Sequence, residues 1–121
     1  MAVPPRRELP QEQKDLLCIL GYLYQQHGRS SHAAILFAAL HALDPEDTFV
    51  ARSLAHAFIG SGQPEDALAI LDALLDRGDT AALTHVLRSQ ALVQCGRLPE
   101  AARAMRFYLA VCVATGNLER I

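Results

Sequence analysis

Apolar and polar positions along the chain recur with a period of 34 residues. Gly28, Gly62 and Gly96 mark the period, and five residues after each glycine stands an alanine: Ala33, Ala67 and Ala101. Four residues before each glycine is a large apolar side chain: Tyr24, Phe58 and Leu92. Nine after it come Phe37, Leu71 and Met105, then Leu40, Leu74 and Tyr108. Between the glycines the apolar positions keep helical spacing, which predicts helices over 11–27, 30–43, 46–60, 64–77, 80–95 and 98–115.

Each column has a physical reading. A glycine just past a helix supplies the left-handed residue that ends it without a Cβ penalty. Ser30 or Ser31 is placed to cap the next helix. Pro64 and Pro99 suit a first helical turn, and the acidic residue after each, Glu65 or Glu100, meets the positive end of the helix dipole. The alanine one turn in lets two helix backbones cross closely, and the large residues on either side fill the space left. The unit is a helical hairpin, with three copies at 14–47, 48–81 and 82–115. Residues 1–10, with three prolines, read as a mobile N-terminal tail, 11–115 as the folded domain, and 116–121 as a C-terminal tail.

Composition agrees with closely packed helices. Of 121 residues, 20 are Ala and 19 Leu, against 15 Val, Ile and Thr together, and there is no Trp. With 11 Lys and Arg against 13 Asp and Glu, the net charge of −2 offers no basic footprint for nucleic acid. No apolar run approaches the roughly 20 residues of a membrane span, and no apolar stretch follows Arg6 and Arg7 to make a secretory signal. Cys18, Cys95 and Cys112 are widely spaced and odd in number, so they read as small buried hydrophobes in a reducing compartment. The five histidines show no metal-ligand spacing, and Gly60-Ser61-Gly62 lacks the Lys-Ser/Thr of a phosphate loop. Glu46-Asp47 and Glu65-Asp66 stand at helix starts and need no acid–base role. Neither an enzyme, nor a cofactor, nor a bound metal is expected.

The columns resemble the tetratricopeptide repeat. Leu17, Leu20, Gly21, Tyr24, Gly28, Ala33, Phe37, Leu43 and Pro45 match its pattern in the first copy, and Leu54, Ala55, Phe58, Gly62, Ala67 and Leu71 in the second. Asp79 and Val113 stand where a closing proline is usual, and His85 and Arg88 where apolar residues are. The resemblance implies an all-α fold of three tandem repeats in a short right-handed solenoid with a concave groove lined by the first helix of each copy. On that register the groove would carry Asp15, Cys18 and Tyr22, then Phe49, Arg52, His56 and Ile59, then Leu83, Val86, Gln90 and Val93. Phe49/Leu83 and Ile59/Val93 would form apolar ladders, with Tyr22/His56/Gln90 a polar-tipped row between them. The last helix, Ala104 to Ala114, is apolar on nearly every side, and too little chain follows to cap it. Met105, Phe107, Tyr108 and Val111 would offer a second contact face to a partner or a second copy.

Within the repeat proteins, Gln13-Lys14-Asp15-Leu16-Leu17, Gly21-Tyr22-Leu23, His27-Gly28 and Leu43-Asp44-Pro45 resemble the Y-type (YscY-like) chaperones of type III secretion. That resemblance implies a bacterial cytoplasmic protein that holds the small X-type export substrate and helps it reach the export gate. The alternatives are a chaperone of needle or translocator subunits and a repeat scaffold that homodimerises through its last helix.

Overall fold

A computed structural model of the chain describes residues 9–116, and among them there are six α-helices and no strand. The helices are α1 (Gln11–Gln26), α2 (Ser30–Leu43), α3 (Thr48–Gly60), α4 (Pro64–Asp76), α5 (Ala82–Gln94) and α6 (Leu98–Thr115). The turns follow the glycines. Gly28, Gly62 and Gly96 hold φ of 73°, 78° and 76°, a left-handed conformation in which any other side chain is strained. The residue after each donates its N–H back to the helix just ended: Arg29 to the Tyr24 carbonyl, Gln63 to Phe58 and Arg97 to Leu92. This is the Schellman closure of a helix C-terminus. Gly78, with φ 87°, closes α4 in the same manner through an Asp79 N–H to the Leu74 carbonyl.

Helix starts depart from expectation in three places, one being α5, which begins at Ala82 rather than 80. Asp47 accepts hydrogen bonds from the N–H groups of Phe49 and Val50, at 3.0 and 3.2 Å. It therefore caps α3, which begins at Thr48 rather than 46, and the cap is worth about 1 kcal/mol. Ser30 and Ser31 do not cap α2. The cap position is Arg29, no side chain bonds there, and both serines lie within the first turn. The Ser30 side chain instead fills the space beside Gly60, where a Cβ would collide with it.

Each helix packs against the next, and α3 also packs against α5. One buried cluster joins α2 to α3 through Ala33, Phe37, Leu40, Val50, Leu54 and Ala57. A larger one joins α3 through α6, with Ala55, Leu71, Leu74, Leu87, Ala91, Leu92 and Ala101 among its members. Phe58 and Ile70 touch both clusters. The alanines expected at crossings, Ala33, Ala67 and Ala101, are buried. Each fully buried Leu contributes roughly 1.5–3 kcal/mol of transfer free energy.

His85 and Arg88 find specific partners. Arg88 pairs with Asp72 at 2.7 Å, tying α5 to α4, and the His85 ring stacks on Phe107 with centroids 5.8 Å apart. Asp79, in place of the closing proline, accepts hydrogen bonds from Thr84 Oγ1 and the Ala81 N–H and pairs with Arg52 at 3.1 Å. Burial opposes its charge, but those hydrogen bonds and the guanidinium outweigh it and hold the carboxyl below the ordinary aspartate range. The Ser89 hydroxyl donates to the Ala101 carbonyl across the α5–α6 pair, and the Gln94 amide donates to the Ile59 carbonyl.

Of the N-terminal tail, residues 1–8 lie outside the described residues; Leu9 is half-buried against the α2–α3 cluster and so belongs to the folded part. Of the C-terminal tail, 117–121 lie outside them as well. No helix among the described residues is long and apolar enough to cross a membrane.

Candidate docking cleft

The helices α1, α3 and α5 carry the side chains expected to meet a partner. Phe49 near the start of α3 is 60% exposed and Leu83, the same position of α5, is 52% exposed. Asp47 positions Phe49 by fixing the first turn of α3, so the ring stands on a rigid element. Tyr22, His56 and Gln90 are all exposed. The polar-tipped row and one apolar ladder thus lie open to solvent.

The second ladder is broken. Ile59 is 7% exposed and belongs to the core that joins α3 to α6, so it is withdrawn from the docking face. Its register partner Val93 is exposed, because α5 covers the end of α3 while among the described residues no later helix packs on α5 in the same way. Arg52 is also largely committed elsewhere: half-buried and paired with Asp79, it joins α3 to the turn before α5. Val86 is half-buried.

Asp15, Cys18 and Phe49 come together at a cleft. Whereas α3 packs on α5, α1 and α3 do not close on each other to that extent, and a cavity of about 440 Å³ opens between them. Gln11, Lys14, Asp15, Cys18 and Ile19 of α1 line one side. Leu40 and Asp44 at the end of α2, with Asp47, Phe49 and Val50 at the start of α3, form the base and the other side. Burial pushes the Cys18 thiol up, and the nearby carboxylates of Asp47 and Asp15 push it further. Both effects disfavour the thiolate, the reactive form of a cysteine. All three cysteines are free, and Cys112 is the buried one.

Lys14, Ile19, Asp44 and Asp47 belong to this cleft, although the repeat register did not single them out. Lys14 and Ile19 sit one position either side of the Asp15–Cys18 face of α1, and Asp44 and Asp47 bracket the turn that brings α3 under it. Asp47 left a local signal, an acidic residue at a helix start, while Lys14 and Asp44 stood out only within the segments that resemble the secretion chaperones.

The residues expected at a second contact face differ in exposure. Phe107, Leu109 and Val113 of α6 are exposed, whereas Met105, Tyr108 and Val111 are half-buried. A third apolar surface was missed: Leu16, Ile19, Leu20 and Leu23 of α1 are exposed at helical spacing on one flank. No group of three or more His, Cys, Asp or Glu among the described residues is placed to hold a metal ion. Compared with known proteins, the chain matches no protein-family model and no curated protein.

Proposed function

We propose that the chain is a bacterial cytoplasmic chaperone of type III secretion, made of three tetratricopeptide repeats in a short right-handed solenoid. It holds a small X-type export protein on the face of α1, α3 and α5 and presents it to the export gate. The observation that carries this reading is the exposure of Phe49 and Leu83 at matching positions of α3 and α5, over a core that does not need them. The glycine turns 34 residues apart, each with positive φ, support the repeat assignment. Apolar anchors of this kind are worth roughly 1–3 kcal/mol each when covered by a partner. Binding, with no chemical step, is the whole activity.

Co-expression with an X-type export protein tests the reading. The wild-type chain should co-purify with it, and Phe49→Asp combined with Leu83→Asp should lose it while circular dichroism stays helical. Retention of the export protein by the folded double variant overturns the assignment. A scaffold that homodimerises through α6 is the second reading, favoured by exposed Phe107, Leu109 and Val113. Light scattering separates them: a scaffold forms a stable dimer alone and loses it on Phe107→Ser.

A further inference from the structure

The cleft between α1 and α3 has a chemistry that the rest of the face lacks. Leu40 and Val50 are buried at its base, and Ile19 and Phe49 stand exposed at its lip, so an apolar side chain fits the floor. Asp15, Asp44 and Asp47 line the same cavity, with Lys14 the one cation among its lining residues. They come from α1, the end of α2 and the turn before α3, so the fold rather than a run in the sequence gathers the charge.

Each carboxylate is held by uncharged donors. The Gln11 amide donates to Asp15, the Glu46 N–H to Asp44, and the Phe49 and Val50 N–H groups to Asp47. None of the ion pairs among the described residues uses any of the three. Their negative charge is oriented by the backbone and, among the described residues, is in no ion pair, and the Cys18 thiol beside them, raised by burial and by Asp47 and Asp15, is consistent with that field. A purely apolar segment seated here would strip water from three carboxylates with nothing in return. An acidic one would be repelled. A guanidinium or ammonium next to the apolar group replaces the lost water with charge-assisted hydrogen bonds.

We infer that the α1–α3 cleft binds a partner segment in which an apolar side chain is flanked by lysine or arginine. The inference deepens the docking function proposed above and rests on it for the identity of the partner, but the cleft chemistry can be tested alone. The isotope-labelled full chain is titrated, with amide shifts read by NMR, with two short peptides of core Lys-Arg-Leu-Ile-Lys-Arg and Glu-Asp-Leu-Ile-Glu-Asp. The basic peptide should shift the amides of Asp15, Cys18 and Asp47 through Val50, and the acidic one should leave them in place. Affinity should fall about ten-fold from low to physiological salt and again by about ten-fold in Asp15→Asn with Asp44→Asn and Asp47→Asn. The last substitution keeps a capping side chain, and the helical spectrum of the triple variant verifies its fold.

Equal binding of the two peptides, or shifts confined to another face, overturns the inference. So does a rise of ten-fold or more in affinity for the basic peptide on deletion of residues 1–8, because the chain's own Arg6 and Arg7 would then be the occupant. If neither peptide binds but an export protein is still captured through Phe49 and Leu83, the inference fails and the docking function stands. If the basic peptide binds in the cleft and no export protein is captured, the inference stands and the chaperone reading fails.

Discussion

Leu16 and Leu20 of α1 stand 34 residues before Val50 and Leu54 of α3, yet the first pair is 64% and 39% exposed and the second 4% and 3%. Residue type and helix register are nearly the same, so the difference lies in what precedes each helix. The hairpin of α1 and α2 closes over the flank of α3, and among the described residues no helix precedes α1. Bulk follows the same logic. Ala57 and Ala91 are fully buried where a neighbouring helix crosses, while the matching position of α1 is Leu23, half in solvent. The exposed flank of α1 is thus shaped differently from a surface that receives another copy of the same hairpin.

The contrast breaks most readily at its buried end. Leu54→Ala should cost about 3 kcal/mol in urea denaturation, through lost burial and the cavity left behind, and Leu20→Ala less than about 1. Equal losses would mean that α1 is as well supported as α3. Next in size is the column of Cys18 and Arg52, where only the α3 member has a charged partner, Asp79. Asp79→Ala should cost about 2 kcal/mol by leaving Arg52 and Thr84 without their acceptor. The effect has a pH signature. The folded carboxyl lies below its unfolded value of about 4, so its stabilisation is complete above that pH and lost as pH falls below it. Urea midpoints followed from neutral pH down to about 2 should fall less steeply for Asp79→Asn than for wild type over the acid end.

Gly21 and Ala55 form a third pair. A Cβ on Gly21 would lie 2.7 Å from the Phe37 ring, while Ala55 carries one in the core without conflict. Gly21→Ala should therefore lose about 1 kcal/mol net, overpacking against buried Phe37 outweighing the gain in helix propensity. A stabilised variant would show that Phe37 yields. Smallest is Leu16→Gln with Leu20→Gln, expected to change stability by about 0.5 kcal/mol or less. Light scattering of that variant shows whether the flank drives self-association.

The turns and helix limits were legible to within two residues, because Gly28, Gly62, Gly96, Pro64 and Pro99 act locally and the backbone obeys them. The crossing alanines were legible for the same reason. What depended on a neighbouring element was not. Ile59 and Val93 share a column and are told apart only by the helix that covers one of them. The pairing of Arg88 with Asp72 spans 16 residues, and that of Arg52 with Asp79 spans 27, and no local pattern announces either. The cleft was half visible, as Asp15, Cys18 and Phe49. The cleft opens because α1 packs on α3 less than α5 does, a difference that no residue encodes alone.

Arg77, at the end of α4, donates to the carbonyls of Pro45 and Glu46 and to the Glu46 carboxylate. Most packing in this chain joins helices adjacent in sequence, the arrangement associated with fast folding. Arg77 is an exception, reaching back over 31 and 32 residues to the junction between the first two hairpins. During synthesis that junction stays unlatched until the whole second hairpin has left the ribosome. One exposed side chain therefore makes the full set of contacts at the first junction conditional on the second hairpin being in place.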